Sequence, residues 1–276
     1  MRPLTITTYM DAQKLTDIVN QSGFPLQVGL TDLIQKTTDQ HGWKVRFTEH
    51  SWKNDLDKES GFIDIVIEDK HCTSIMLIEC KRVLDSSWIF IIPKSKLMWR
   101  RHVKAWVTRF EGKEIKHIFW ADLALTPDSF ESEFCVVPGQ DSKSKPMLER
   151  VASDIVSATE ALALEEKDYQ AQLKDPLRMY FSVIVTTAKL QVCSFEPGKV
   201  SFLDGKVAET DFTEVPYIRF RKQLSTRPIS AQLNVVSGLH EFIRAKEHTV
   251  FVVNAQELPK FLANFEVDRS SLRHIV

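Results

Sequence analysis

Apolar and polar positions along this chain alternate with two periods, and the places where the period changes mark its elements. Residues 28–40 (VGLTDLIQKTTDQ) set Leu30, Leu33 and Ile34 at helical spacing with His41 and Gly42 as a stop, which predicts a helix. Residues 43–48 alternate as a strand, and 49–60 read as a polar loop. Two apolar, β-branched runs of strand length follow, 61–68 (GFIDIVIE) and 74–81 (SIMLIECK). The short polar segment DKHCT between them predicts a hairpin turning near His71 and Cys72. Residues 97–110 carry Trp99, Val103, Trp106 and Phe110 three or four apart, which predicts a second helix with an apolar stripe. Residues 115–123 (IKHIFWADL) are a further strand candidate.

In the second half, residues 138–146 (PGQDSKSKP) combine Pro, Gly, Ser and charge without periodicity and read as an exposed loop. A long helical stretch, 147–173, ends before Asp175 and Pro176, and 179–187 (MYFSVIVTT) is the most apolar strand of this half. Residues 190–195, 200–203, 217–220 and 249–253 read as more strands, and 257–265 as a closing helix. A parallel strand needs a long crossover, usually a helix. The helix at 147–173 followed by the strand at 182–186 supplies one, so the pattern favours one extended α/β domain. In that reading residues 1–137 are a core with the hairpin, 138–148 a loop, and 149–276 an α/β remainder completing the same sheet.

Charge interrupts the two hairpin runs at few places: Asp64 in the first, Glu79 and Lys81 in the second. A turn centred near residues 71 and 72 puts Asp64 opposite Glu79, with Cβ atoms about 4.5–5.5 Å apart, where like charges repel. Two carboxylates so placed make sense with a divalent cation between them. Period-two alternation sends Lys81 to the face of Glu79. Four consecutive apolar residues, 75–78, precede Glu79, so the charges end a buried strand rather than decorate an exposed one.

This arrangement of Asp64, a turn and Glu79-Cys80-Lys81, introduced by Gly61-Phe62-Ile63, resembles the PD-(D/E)xK nuclease superfamily over residues 42–82. The resemblance implies a restriction-endonuclease-like α/β core, a mixed central sheet flanked by helices, here with a β-rich C-terminal extension. It implies Mg²⁺ or Mn²⁺ held by Asp64, Glu79 and the Cys80 carbonyl, with Lys81 orienting the attacking water. Hard cations prefer such oxygen ligands. It also implies hydrolysis of DNA, in restriction or antiphage defence, by a homo-oligomer or beside an ATPase or sensor subunit. Many relatives add an acid from the first core helix. That helix offers Asp32 and Asp39 but no Glu, and Glu49 is a substitute candidate. No QxxxY follows Lys81, which disfavours the RecB-type exonuclease branch. The rival reading is a catalytically idle DNA-binding or assembly subunit.

Net charge narrows where nucleic acid would lie. At −1 over 276 residues, any such surface is local. Residues 94–109 hold Lys94, Lys96, Arg100, Arg101, Lys104 and Arg109 without an acid, and on a helix Lys96, Arg100 and Lys104 share one face for phosphates. Arg219, Arg221, Lys222 and Arg227 form a second cluster, with Arg219 and Arg221 on one strand face. A P-loop, a GxSxG elbow, HExxH and a dinucleotide fingerprint are all absent. Four scattered cysteines without a CxxC pair suit a reducing cytosol. The first twenty residues lack the apolar core of a secretory signal, and the longest dense apolar run, WIFII at 88–92, is far too short for a membrane span. A cytoplasmic location is the expectation.

Overall fold

The most apolar stretches of the chain meet side by side at the centre of a mixed sheet. The computed structural model describes residues 11–54, 58–84, 86–140, 145–172, 177–224, 243 and 246–273. Three helices open it: α1 (Ala12–Gln21), α2 (Phe24–Lys36) and the short α3 (Thr38–His41). Gly23 supplies the left-handed conformation before α2, and Pro sits in its first turn, where a missing N–H costs nothing. The helix therefore starts earlier than the apolar spacing alone predicts.

Strands β1 (Lys44–Asn54), β2 (Glu59–Glu68) and β3 (Ser74–Lys81) form an antiparallel meander. The polar loop expected over 49–60 is mostly strand, because Trp52 buries its ring in the core. In the β2–β3 turn the Asp69 carboxylate accepts from the N–H groups of Thr73 (2.8 Å) and Ser74 (3.0 Å), while Cys72 takes a left-handed φ of 57°. Then come β4 (Ser87–Pro93), β5 (Arg100–Glu111), β6 (Glu114–Ser129), β7 (Glu131–Ser132) and β8 (Phe134–Val136). Helices α4 (Met147–Glu165) and α5 (Lys167–Gln170) lead into β9 (Leu177–Thr186), followed by β10 (Lys189–Phe195), β11 (Asp211–Val215), β12 (Tyr217–Gln223) and β13 (Glu247–Asn254). The chain closes with α6 (Leu258–Ala263) and β14 (Glu266–Val267).

The larger sheet has ten strands with a main order β1-β2-β3-β9-β13-β12-β7; β5 and β6 branch from β9, and β14 pairs with β6. β9 runs parallel to both β3 and β13, so α4 lies in the crossover from β3 to its parallel neighbour. All but its first residue is buried, as expected of a central parallel strand. A second sheet of four strands, β11-β10-β4-β8, shares with α4 the core on one face, through Trp88, Phe90, Leu190 and Val192. Leu30 and Ile34 of α2 and Phe261 of α6 fill the opposite face. Among the described residues no helix is long and apolar enough to cross a membrane.

Two further expectations fail. Residues 97–110 are not a helix, and from Arg100 onward they form β5. Val103, Ala105 and Val107 face the α2 side while Trp106 faces the α4 side. A strand buried on both faces has an unbroken apolar run, and within it spacings of three and four arise by coincidence. Residues 200–203 are not a strand either. They carry only an isolated bridge from Val200 to Val207, and Phe202 and Leu203 stand 97 % exposed.

Candidate active site

The β2–β3 ladder runs from Glu68 opposite Ile75 to Ile65 opposite Ile78, and the next rung would join Asp64 to Glu79. There the strands open. Instead of another main-chain rung, the Asp64 carboxylate accepts the Cys80 N–H at 2.6 Å. The side-chain alternation of β2 also slips here, since Ile63 and Val66 both join the α4-side core while Ile65 faces α2. β1 shows the matching irregularity: Glu49, held at φ 52°, falls between the paired positions Thr48–Ile65 and His50–Ile63 and therefore stands opposite Asp64. Glu49, Asp64 and Glu79 thus occupy consecutive places across three neighbouring strands. Lys81 donates to Glu79 Oε1 at 2.5 Å, on the same side of β3. Gly61 faces Trp52, and a Cβ there would lie 3.2 Å from the indole nitrogen, so glycine lets the ring close the wall beside the site.

Burial raises the Asp64 pKa and Glu49 adds to the rise, against the Cys80 N–H and Lys81, which pull it down. Burial and the Asp64 charge raise that of Glu79, again opposed by Lys81. Burial and the same two acids push the Cys80 thiol far up, so it stays neutral. The cluster therefore holds more negative charge than its one lysine offsets. Such a surplus is what a cation would relieve.

Four contributors escape sequence reading. Gln27 of α2, 8 % exposed, donates its amide to Glu49 Oε1 at 2.6 Å and to the Asp64 carbonyl at 3.0 Å. Asp154 of α4 acts on both Glu79 and Lys81 from across the crossover, and partial burial, then Glu59, raise its pKa. With Glu59, Trp52 and Glu79 it lines a cavity of about 300 Å³. Lys145 and Arg150, at the start of α4, are close enough to Asp154 to oppose that rise. None of these four has a motif spacing to find it by.

An all-oxygen set of Glu49, Asp64 and Glu79 fits a hard divalent cation in donor chemistry. Among the described residues, no three His, Cys, Asp or Glu side chains form a ready cage, and each of these carboxylates is turned toward its own donor: Gln27, Cys80 or Lys81. The helix acids stay away. Asp32 pairs with Lys36 at the surface, and Asp39 lies exposed on α3.

The basic residues disperse. Lys104, expected to face phosphates from a helix, is 5 % exposed on β5 and bound to Asp122 at 2.9 Å. Lys96, Arg100 and Arg101 are exposed, but on a turn and a strand start rather than one helical face, and Arg101 lies 3.5 Å from Asp128. Arg219 and Arg221 do share a strand face, yet it is an interior one. Burial lowers Arg219 to about 10, while Arg221 is bound to Asp122 and Glu247. Arg227 lies outside the described residues. Comparison with family models, curated proteins and solved structures gives no match for this chain.

Proposed function

We propose that the chain is a Mg²⁺-dependent deoxyribonuclease of the restriction-endonuclease-like class. The observation that carries this reading is the row Glu49–Asp64–Glu79 across three strands, with Lys81 bonded to Glu79 where β3 and its parallel neighbour β9 end. The order helix, three-stranded meander, crossover helix and parallel strand supports it, as does the location, since ligands of open α/β sheets bind at the carboxyl ends of strands.

Asp64 and Glu79 would hold the cation, with the Cys80 carbonyl and Glu49 as further candidate oxygen ligands. Bound there, Mg²⁺ or Mn²⁺ supplies Lewis acidity and a water of lowered pKa. Lys81, bonded to Glu79 on the same side of β3, would orient the attacking water and offset charge on the phosphate. Lys145 and Arg150 at the start of α4, with Arg100 and Arg101, are the available phosphate contacts. Restriction or antiphage defence is the setting the resemblance suggests, with a second copy or an ATPase or sensor subunit as partner.

That neither Asp32 nor Asp39 of the opening helices reaches the site favours a second reading, a DNA-binding or assembly subunit without catalysis. One assay separates them: supercoiled and linear DNA incubated with Mg²⁺ or Mn²⁺, with EDTA as control. Metal-dependent cutting lost in Asp64→Asn supports the nuclease. DNA binding without cutting in either metal supports the subunit.

A further inference from the structure

Helix α1 is amphipathic, yet it buries nothing. Leu15, Ile18 and Val19 recur at helical spacing on one face, and none of its ten residues is buried. A helix this short is marginal in water, and helices in proteins draw most of their stability from packing such a face. Among the described residues its one extensive contact is with α2. There Phe24 and Val28, one turn apart on the outer flank, are exposed as well. These five side chains stand 46–67 % exposed on two adjoining helices. Single exposed apolar residues need no explanation, but a cluster of this size marks an interaction surface.

We infer that a second copy of this chain docks on the α1–α2 face, through a two-fold contact that covers α1 in each protomer. Area is the first argument. A standard interface buries about 800 Å² per partner, somewhat more than half of it apolar. The five side chains offer on the order of 500 Å² of apolar surface, close to that share. Charge is the second. Asp11, Lys14 and Asp17 on α1, with the Asp32–Lys36 pair on α2, carry both signs near balance. A two-fold axis sets a face against itself, so a face of one sign would repel its copy, and this one does not. The same balance disfavours nucleic acid, which needs a basic surface, and a membrane, where amphipathic helices carry Lys and Arg along the polar face. Residues 1–10, outside the described residues, are the rival occupant. The inference is independent of the nuclease reading.

The test is sedimentation velocity of the full chain from about 1 to 100 µM. Wild type should form a reversible dimer, and Ile18→Asp and Val28→Asp should each weaken it about a hundredfold or more. Both side chains are exposed in the single chain, so circular dichroism and melting temperature at the lowest concentration should match wild type. Ile18→Ser and Val28→Ser repeat the measurement should an aspartate variant fold poorly. Phe202→Asp, in the loop between β10 and β11 and 97 % exposed, should leave the dimer unchanged. Amide exchange in residues 12–21 should slow as the protein concentration rises.

A wild type that stays monomeric at 100 µM overturns the inference. If deleting residues 1–10 then makes the chain dimerise, the face belongs to those residues. A dimer that keeps its affinity in both α1 and α2 variants overturns it as well, as does one equally weakened by Phe202→Asp or one in which exchange in α1 ignores concentration. In each of these cases the contact lies elsewhere, and the nuclease reading stands or falls by its own assay.

Discussion

Strand β2 carries one charged cluster at its C-terminal end and another at its middle, and the two are built on opposite principles. At Glu68, Arg46 approaches Glu68 and Glu166 at 3.1 and 3.4 Å, and Arg178 approaches the same pair at 3.0 and 3.3 Å. Tyr180 adds a hydrogen bond to Glu166 at 2.7 Å. Two guanidinium groups meet two carboxylates. Burial alone would pull Arg178 down, yet Glu166, Tyr180 and Glu68 hold its pKa above the ordinary value. At Asp64 the balance is broken: Asp64 and Glu79 share one lysine, Glu49 adds its charge to that around Asp64, and the pKa values of Asp64 and Glu79 rise. A matched buried network holds elements together and takes nothing further. A mismatched one costs stability and leaves valence for a ligand.

Breaking the mismatched cluster should have the largest effect and touch only chemistry. Asp64→Asn, Glu79→Gln and Lys81→Ala should each cut DNA cleavage about a thousandfold or more, on the order of 4 kcal/mol of transition-state stabilisation. In EDTA the melting temperatures of the two carboxylate variants should equal or exceed wild type. A large drop in all three would assign the row to structure.

Breaking the matched cluster should do the reverse. Arg178, 2 % exposed, leaves Glu68 and Glu166 undercompensated when replaced, so Arg178→Met should lose about 3–5 kcal/mol in urea unfolding. Cleavage per folded molecule should stay at the wild-type level. A cation sharpens the contrast further. At a hundred times its Kd it stabilises the folded state by about 2.7 kcal/mol. Mg²⁺ or Mn²⁺ should therefore raise the melting temperature of wild type and Arg178→Met alike, with little rise in Asp64→Asn.

The smallest expected effect is in pH. Raised carboxylate pKa values mean that the folded state holds protons more tightly than the unfolded one. Metal-free wild type should therefore gain stability relative to an Asp64→Asn/Glu79→Gln variant as pH falls from 7. The gain spans the raised folded values and is complete below the ordinary carboxylate range of about 4. Asp122 has the opposite sign: burial would raise it, but Lys104 and Arg221 hold it below its usual value, so its contribution is lost on acidification. Urea midpoints at pH 7, 5 and 3, for these variants and Asp122→Asn, separate the two signs, because the Asp122 loss begins only below the ordinary carboxylate range of about 4.

How far the site could be read from sequence follows the range of the contacts that build it. Asp64, Glu79 and Lys81 are legible because one turn of five residues sets their register, and a single-residue slip would turn every side chain of β3 to the wrong face. Glu49 opposite Asp64 depends on how β1 kinks. Gln27 and Asp154 reach the site from helices on opposite faces of the sheet, and no local pattern encodes either approach. The basic helix failed for a different reason. Val103 to Thr108 are buried on both faces of β5, so periodicity carries no information there, while the β-branched and aromatic residues Val103, Trp106, Val107 and Thr108 favour a strand. Lys104 then had to be an interior ion-pair partner rather than a phosphate contact.

The parallel pairing of β3 with β9 has a consequence for the growing chain. β1, β2 and β3 are joined by short connections and can pair as soon as they are made, but the free edge of β3 waits for β9, which is synthesised after five more strands and α4. Until then the run Ile75–Met76–Leu77–Ile78, wholly buried in the finished protein, is an open apolar edge of the kind that recruits other chains. Only Glu79 and Lys81 interrupt it at its far end. Charges at that position act as gatekeepers against aggregation during synthesis. Replacing both by neutral residues would be felt first in the yield of intact protein, before any assay of what it does.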